Sequence, residues 1–219
     1  MSWQQQPRDE KGRWVKRGAG GVVGAALLAG LMAGVGGGDL TTSVGAALDS
    51  ATSSGVTDAD AARAENDAKK GDETEARRRL GLKELKRDLK REVRCAAQSF
   101  GQVQRFFLHH PCRKLDQLLF LWSDSNGNEL VGSVMWVRMP SKGDAARFER
   151  IEDKYGSGDV TPVGTEILEV GGIHFTGKHY KSRPDGSLVV VAETEPVRGQ
   201  LSDAFLNQVA DVVDILPPP

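Results

Sequence analysis

Four histidines are the residues of this chain best suited to acid–base or metal chemistry, because imidazole titrates near neutral pH and binds metals readily. His109 and His110 end a predicted helix, where an imidazole beside the last carbonyls is ordinary capping. His174 and His179 lie an odd number of residues apart on one predicted strand and therefore point to opposite faces of it. The sequence thus indicates neither a metal site nor a cofactor site.

No segment matches a motif for nucleophilic catalysis, metalloprotease chemistry or nucleotide binding. The glycine-rich loop at Gly156 and Gly158 follows a predicted helix rather than preceding one, so we interpret it as a flexible connection and not as a phosphate loop. An enzyme would have to assemble its site from scattered residues around the predicted sheet, and His174, Tyr180 and Arg183 are the candidates. The catalytic residues therefore stay unknown from sequence.

The two cysteines, Cys95 and Cys112, favour a disulfide if this part of the chain lies outside the cytoplasm. One continuous helix between them would hold them roughly 25 Å apart, whereas bridged Cα atoms lie within about 7 Å. Ser99 and Gln102 form a capping-box pattern that predicts the start of a second helix. This break lets Cys112 return to Cys95, and two buried free thiols are the alternative.

Residues 77–94 carry nine basic and three acidic side chains, and their leucine spacing predicts a helix. If this basic helix binds an anionic surface, we expect the contacts to come from Arg87, Lys90, Arg91 and Arg94. The range has no aromatic side chain and no defined reading motif, so a nucleic-acid partner is not expected. A solvated helix face is the simpler interpretation.

Residues 18–38 contain no charged side chain, although nine of these 21 residues are glycine. A helix of this length just crosses a hydrocarbon core of about 30 Å, so we predict a single-pass membrane helix, with a secretory signal or a soluble linker as alternatives. The basic residues 1–17 would stay cytoplasmic and place the rest of the chain outside. Ala26, Gly30 and Gly34 have the small-xxx-small spacing that would let two such helices pair in a homo-oligomer.

The remaining chain divides into three further parts. Residues 39–76 predict a flexible acidic linker with one marginal alanine-rich helix, residues 77–216 predict a folded domain, and residues 217–219 form a tail.

Inside the predicted domain, strands at 115–123 and 130–139 flank one turn, and strands at 173–181 and 188–195 flank another. Each hairpin is followed by a predicted helix, which gives N-terminal helices and then the order ββα-ββα. Hairpin strands form antiparallel sheets, so the sequence predicts an α+β fold with helices on one face of the sheet.

The chain resembles uncharacterised single-pass or secreted proteins of high-GC actinobacteria over about residues 90–216. The similarity is carried by the segments SFGQVQRFFLHHPC, VMWVRMPS, GSGDVTP and HFTGKHYKSRPDGSLVVVAE. The resemblance implies no activity or ligand and assigns no functional residue.

From these patterns we expect a membrane-tethered, extracytoplasmic module that binds an envelope protein or polymer without evident catalysis. The expected location is the cell membrane, and a secreted protein is the alternative. Two other functions stay open. One is an extracytoplasmic enzyme with a site around the sheet, and the other is an adaptor that binds anionic surfaces or nucleic acid through the basic helix.

Overall fold

The computed structural model describes residues 55–162 and 173–219. The elements, in chain order, are α1 (Asp58–Lys69), α2 (Glu73–Arg79), β1 (Lys83–Lys90), α3 (Gly101–His109), β2 (Lys114–Ser123), β3 (Glu129–Arg138), α4 (Lys142–Glu152), β4 (Tyr180–Asp185), β5 (Leu188–Arg198) and α5 (Asp203–Asp214). The five strands form one antiparallel sheet in the order β1-β2-β3-β5-β4. The predicted α+β class is confirmed.

The N-terminal predictions fall on residues that the structure does not describe. These are the basic segment, the apolar segment 18–38 with Ala26, Gly30 and Gly34, and the first part of the linker. Within residues 55–162 and 173–219, none of the helices has both the length and the apolar character needed to cross a bilayer.

Helices cover both faces of the sheet. On one face, Leu118, Phe120 and Trp122 of β2 pack with side chains of α1, α2 and α5. On the other face, Leu115, Met135 and Val189 pack with side chains of α3 and α4. The prediction of helices on one face is therefore wrong. The physical reason is that β2, β3 and most of β5 are buried on both sides and need a second apolar layer.

The prediction of one basic helix over residues 77–94 is wrong. Gly81, with φ of +68°, ends the helical stretch after α2, and residues 83–90 form the edge strand β1. The register shifts between Glu84 and Lys86, so Leu85 is a bulge residue. Because of this extra residue, Leu82 and Leu89 pack toward the same core although they are an odd number of positions apart. Their separation equals two helical turns, which explains why the sequence pattern resembled a helix.

The first two helices belong to the same core as the sheet. Ala64, Ala68 and Ala76 are buried in the cluster that contains the strands of the first face. Thr57 starts α1 with a capping box, in which its hydroxyl accepts a hydrogen bond from the Asp60 amide. The folded unit therefore begins before residue 77, the start that the sequence pattern predicted.

The second hairpin differs from its predicted bounds. Its first strand, β4, covers Tyr180–Asp185 instead of residues 173–181, and Asp185 pairs with Leu188 across a two-residue turn. Gly186 takes a φ of +60°, as such turns require. Pro184 is tolerated because β4 is an edge strand of the sheet.

Candidate functional site

The two cysteines lie at disulfide distance, with their Cα atoms 6.3 Å apart, which confirms that the chain returns Cys112 to Cys95. The capping box predicted at Ser99 and Gln102 is wrong. The N-cap of α3 is Phe100, which makes no side-chain capping bond, and the Ser99 hydroxyl instead donates to the carbonyl of Cys95 at 2.7 Å. The reversal therefore depends on the irregular segment before α3.

The glycine-rich loop after α4 is held by backbone hydrogen bonds rather than acting as a flexible connection. The Phe100 amide donates to the Asp159 carbonyl at 3.0 Å, and the Thr161 amide donates to the Gln98 carbonyl at 2.6 Å. Gly158 has a φ of +113°, and a Cβ at this position would collide with the backbone of Phe100 and Gly101. This loop is thereby fixed beside the start of α3.

A cleft of about 130 Å³ opens between this loop, the end of α4 and residues 175–177. Three carboxylates and three aromatic rings line it: Glu152, Asp159, Glu193, Phe100, Tyr155 and Phe175. Glu152 and Glu193 are buried, whereas Phe100 and Tyr155 are exposed at 55% and 39%. Glu152 and Glu193 thus lie deep, Asp159 is half-buried, and the exposed rings of Phe100 and Tyr155 lie at the rim. One basic residue, Lys154, also contributes to the lining.

Negative charge is concentrated at the end of α4. Glu149, Glu152 and Asp153 occupy its last turn and C-cap, where the free carbonyls already carry partial negative charge. Burial, together with the neighbouring charge of Asp153, raises the pKa of Glu149. Acidic residues at this end of a helix reduce its stability, although Arg150 in the same turn opposes this effect and Asp153 accepts hydrogen bonds from the hydroxyls of Tyr180 and Ser182.

The other wall of the cleft is attached to β5 through buried carboxylates. Glu193 accepts a hydrogen bond from the Gly177 amide, and Glu195 accepts from the amide of Thr176 at 2.9 Å and from its hydroxyl at 2.5 Å. These bonds hold residues 176 and 177 against the sheet. The two glutamates lie on the same face of β5 because they are two residues apart.

Known proteins offer no match. No protein family, curated protein or solved structure is similar to this chain. Function is therefore inferred from the geometry of the site. In the described part of the chain, no group of three or more His, Cys, Asp or Glu side chains is placed to hold a metal ion.

His179 has a structural environment. Its side chain is buried, with Nδ1 3.0 Å from the Thr194 carbonyl and Nε2 3.1 Å from a carboxylate oxygen of Asp203. Hydrogen bonds from Lys178 and then from His179 lower the pKa of Asp203. The imidazole therefore links β5 to the first turn of α5.

The three residues proposed for an assembled enzyme site do not converge. Tyr180 donates to Asp153 at 2.9 Å on the α4 face of the sheet. Arg183 donates to the Asp214 carbonyl at 3.0 Å on the α5 face, and His174 is exposed. Tyr180 and Arg183 are an odd number of residues apart on β4, so strand geometry separates them.

The four residues predicted to contact an anionic surface fall into two groups. Arg87 forms an ion pair with Glu73 at 2.5 Å, and Lys90 pairs with Asp88 at 3.1 Å. Arg91 and Arg94 are exposed, and neither forms an ion pair with another described residue. Of the four, only Arg91 and Arg94 keep their charge available for a ligand.

The sequence patterns did not identify the cleft residues, yet two signals point to them. Glu193 and Glu195 interrupt the apolar run of β5, and a carboxylate is rarely buried in a strand without a specific partner. Glu152 and Asp153 have the wrong sign for a helix C-terminus. Neither signal shows by itself that the end of α4 and β5 meet at one cleft.

Proposed function

We propose that this chain is an extracytoplasmic binding module that holds a cationic group of its partner in the acidic cleft. The observation that carries the proposal is the lining of three carboxylates and three aromatic rings. An ammonium or guanidinium group is attracted to ring faces and forms charge-assisted hydrogen bonds with carboxylates.

The size of the cleft limits the ligand. A volume of about 130 Å³ accommodates the charged end of one side chain, not a whole cofactor. The partner is therefore a protein or envelope polymer that presents a lysine, an arginine or an amine. The exposed rings of Phe100 and Tyr155 would contact the apolar stem behind the charge.

Substituting the rim aromatics tests this function. We expect the chain to bind Nα-acetyl-lysine amide with a Kd on the order of 1 mM, and Phe100→Ala with Tyr155→Ala to weaken binding about tenfold through loss of cation–π contact. NMR chemical-shift titration measures the affinity. The neutral isostere Nα-acetyl-norleucine amide should bind at least tenfold more weakly than the lysine derivative.

Leu108→Ala is the matched control, because Leu108 is 64% exposed on α3 and does not line the cleft. It should bind the lysine derivative like the original chain. Equal affinity for the norleucine and lysine derivatives would contradict a cation site. So would unchanged affinity in the double aromatic variant.

The location is the second part of the proposal. We place residues 18–38 in the membrane and the folded domain outside, or, if the apolar segment is a cleaved signal, in the secreted protein. Support comes from the cysteine pair at disulfide distance, because disulfides persist in oxidising compartments and are rare in the cytosol. An outward domain would meet the cationic groups of envelope proteins and polymers.

Thiol labelling in intact cells tests the location. A non-permeant maleimide should label the full chain only after reductant is added, and it should react mainly at Cys112, which is more exposed than Cys95. Cys95→Ser should label at Cys112 without reductant. Labelling that requires cell lysis, even in the Cys95→Ser variant, would place the domain inside the cell.

A further inference from the structure

We propose that a second site, the groove beside the cysteine pair, binds an acidic peptide segment of a partner protein. The groove has a volume of about 470 Å³ and lies between residues 92–96 and residues 111–114. Ligand pockets typically measure about 300–1,000 Å³, so this groove can hold several side chains. It shares no lining residue with the acidic cleft.

Two arginines of the groove have no acidic partner within the part of the chain that the structure describes. Arg94 and Arg113 line it, and neither forms an ion pair with another described residue. The neighbouring Lys114 is already neutralised, because its Nζ lies 2.8 Å from a carboxylate oxygen of the buried Asp116. Glu92 is the one acidic residue of the lining.

The arginines of α2 differ from these two. Arg77, Arg78 and Arg79 all form ion pairs, with distances of 2.6 to 3.0 Å to Glu84, Glu75 and Asp67. Arg94 and Arg113 instead form no ion pair among residues 55–162 and 173–219. A guanidinium offers a planar fork of donors that matches a carboxylate. The two arginines can therefore bind two acidic side chains, or both can bind the same carboxylate.

The apolar lining of the groove favours a peptide over a phosphate polymer as its ligand. Val93, Phe107 and Pro111 line the groove together with the arginines. A peptide that combines a carboxylate with an aliphatic side chain satisfies both parts of this surface. A phosphate polymer or a nucleic-acid backbone would satisfy the arginines and leave the apolar part in contact with water.

The groove is preformed by covalent and hydrogen bonds. Cys95 lies on one wall and Cys112 on the other, with Cα atoms 6.3 Å apart. The first wall is also tied to β2, because the Val93 amide donates to the Leu115 carbonyl at 2.9 Å and the Glu92 amide donates to Asp116 at 3.1 Å. A preformed groove loses little conformational entropy when a ligand binds.

Fluorescence anisotropy with four labelled probes tests the site. The probes are the end-capped peptides Glu-Leu-Leu-Glu, Glu-Ser-Ser-Glu and Lys-Leu-Leu-Lys, and inorganic polyphosphate. We expect the full chain to bind Glu-Leu-Leu-Glu with a Kd below about 1 mM and at least about tenfold more tightly than the other three. The double variant Arg94→Gln, Arg113→Gln should weaken this binding about tenfold or more.

Arg198→Gln is the matched control, because Arg198 is exposed at the other end of the sheet, where it pairs with Glu129. It should bind Glu-Leu-Leu-Glu like the original chain, and so should Tyr155→Ala, because Tyr155 does not line the groove. The proposal is overturned if Glu-Ser-Ser-Glu or polyphosphate binds as tightly as Glu-Leu-Leu-Glu, since the site would then recognise charge alone. Unchanged affinity in the double variant, or no saturable binding up to several millimolar, would also overturn it.

Discussion

Gly132→Ala is expected to destabilise the fold by about 3 kcal/mol, because the position has no room for a methyl group. Gly132 lies directly across from Phe120 in the β2–β3 register, and a Cβ at this position would overlap the Phe120 ring. That ring is fully buried and stacks on Trp122 with centroids 3.9 Å apart, so it has no free space into which to move. Urea unfolding, followed by tryptophan fluorescence, measures the loss.

A double-mutant cycle identifies the cause. In the Phe120→Leu background, Gly132→Ala should cost at least about 1 kcal/mol less than in the original chain, because the colliding ring is absent. Gly143→Ala is the control. Gly143 is exposed in α4, and a Cβ there meets only Ser141 at an ordinary 3.7 Å, so this change should stabilise the fold by about 0.5 kcal/mol. Equal costs in both backgrounds would show that the collision is not the cause.

Local signals were sufficient for most of the fold. Ser141 and Ser202 accept hydrogen bonds from backbone amides at the starts of α4 and α5, and Gly127 occupies the turn of the first hairpin. These features depend on residues within four positions of one another, so a single sequence reveals them. The α+β class followed from their order.

The errors in the sheet have a different origin, since they depend on contacts between distant residues. The bulge at Leu85 becomes visible only when β1 pairs with β2. Placement of α4 and α5 on opposite faces depends on how much apolar surface β3 and β5 expose on each side. Strand pairing of this kind is set by tertiary packing and is not encoded in one segment.

The candidate sites follow the same rule. The sequence predicted that Cys95 and Cys112 would meet, because a disulfide allows only a short distance between the two Cα atoms and the chain between them must therefore turn back. The acidic cleft combines α4, β5, the start of α3 and residues 175–177, and no spacing rule brings these together. In the groove, Arg94 was predicted to contact an anionic surface. Arg113 lies beside it only because the chain reverses between the two cysteines, so the sequence did not identify Arg113.

Asp214→Asn is expected to stabilise the fold at alkaline pH and to have little effect at acidic pH. Asp214 is 2% exposed at the end of α5, and burial raises its pKa from the ordinary 3.8 to about 7. The positive charges of Arg183 and Lys181 oppose this shift, while Asp211 adds to it. The Arg183 Nε lies 3.6 Å from the carboxylate, too far for a direct hydrogen bond, and Asp214 Oδ1 accepts no hydrogen bond from another described residue.

The pH window follows from the raised pKa. Below about pH 4 the carboxyl is protonated in both the folded and the unfolded chain, so its ionisation costs no stability. Between about pH 4 and pH 7 the unfolded chain releases the proton while the folded chain retains it, and stability falls as pH rises. Above pH 7 the loss is complete. A shift of about three pH units corresponds to at most about 4 kcal/mol.

Asparagine resembles the neutral carboxyl, so Asp214→Asn removes most of this loss. Because the variant also gives up the attraction to Arg183, we expect it to gain about 2–3 kcal/mol at pH 9 and less than about 0.5 kcal/mol at pH 4. Urea unfolding at several pH values provides the measurement. Asp211→Asn is the control one turn earlier on α5, where a partly exposed ion pair with Lys181 at 2.6 Å contributes about 0–1 kcal/mol. If Asp214→Asn raises the free energy of unfolding equally at pH 4 and pH 9, the buried carboxyl does not change its ionisation between these pH values. If the increase appears between pH 4 and pH 7, Asp214 is a major source of pH-dependent instability in this fold.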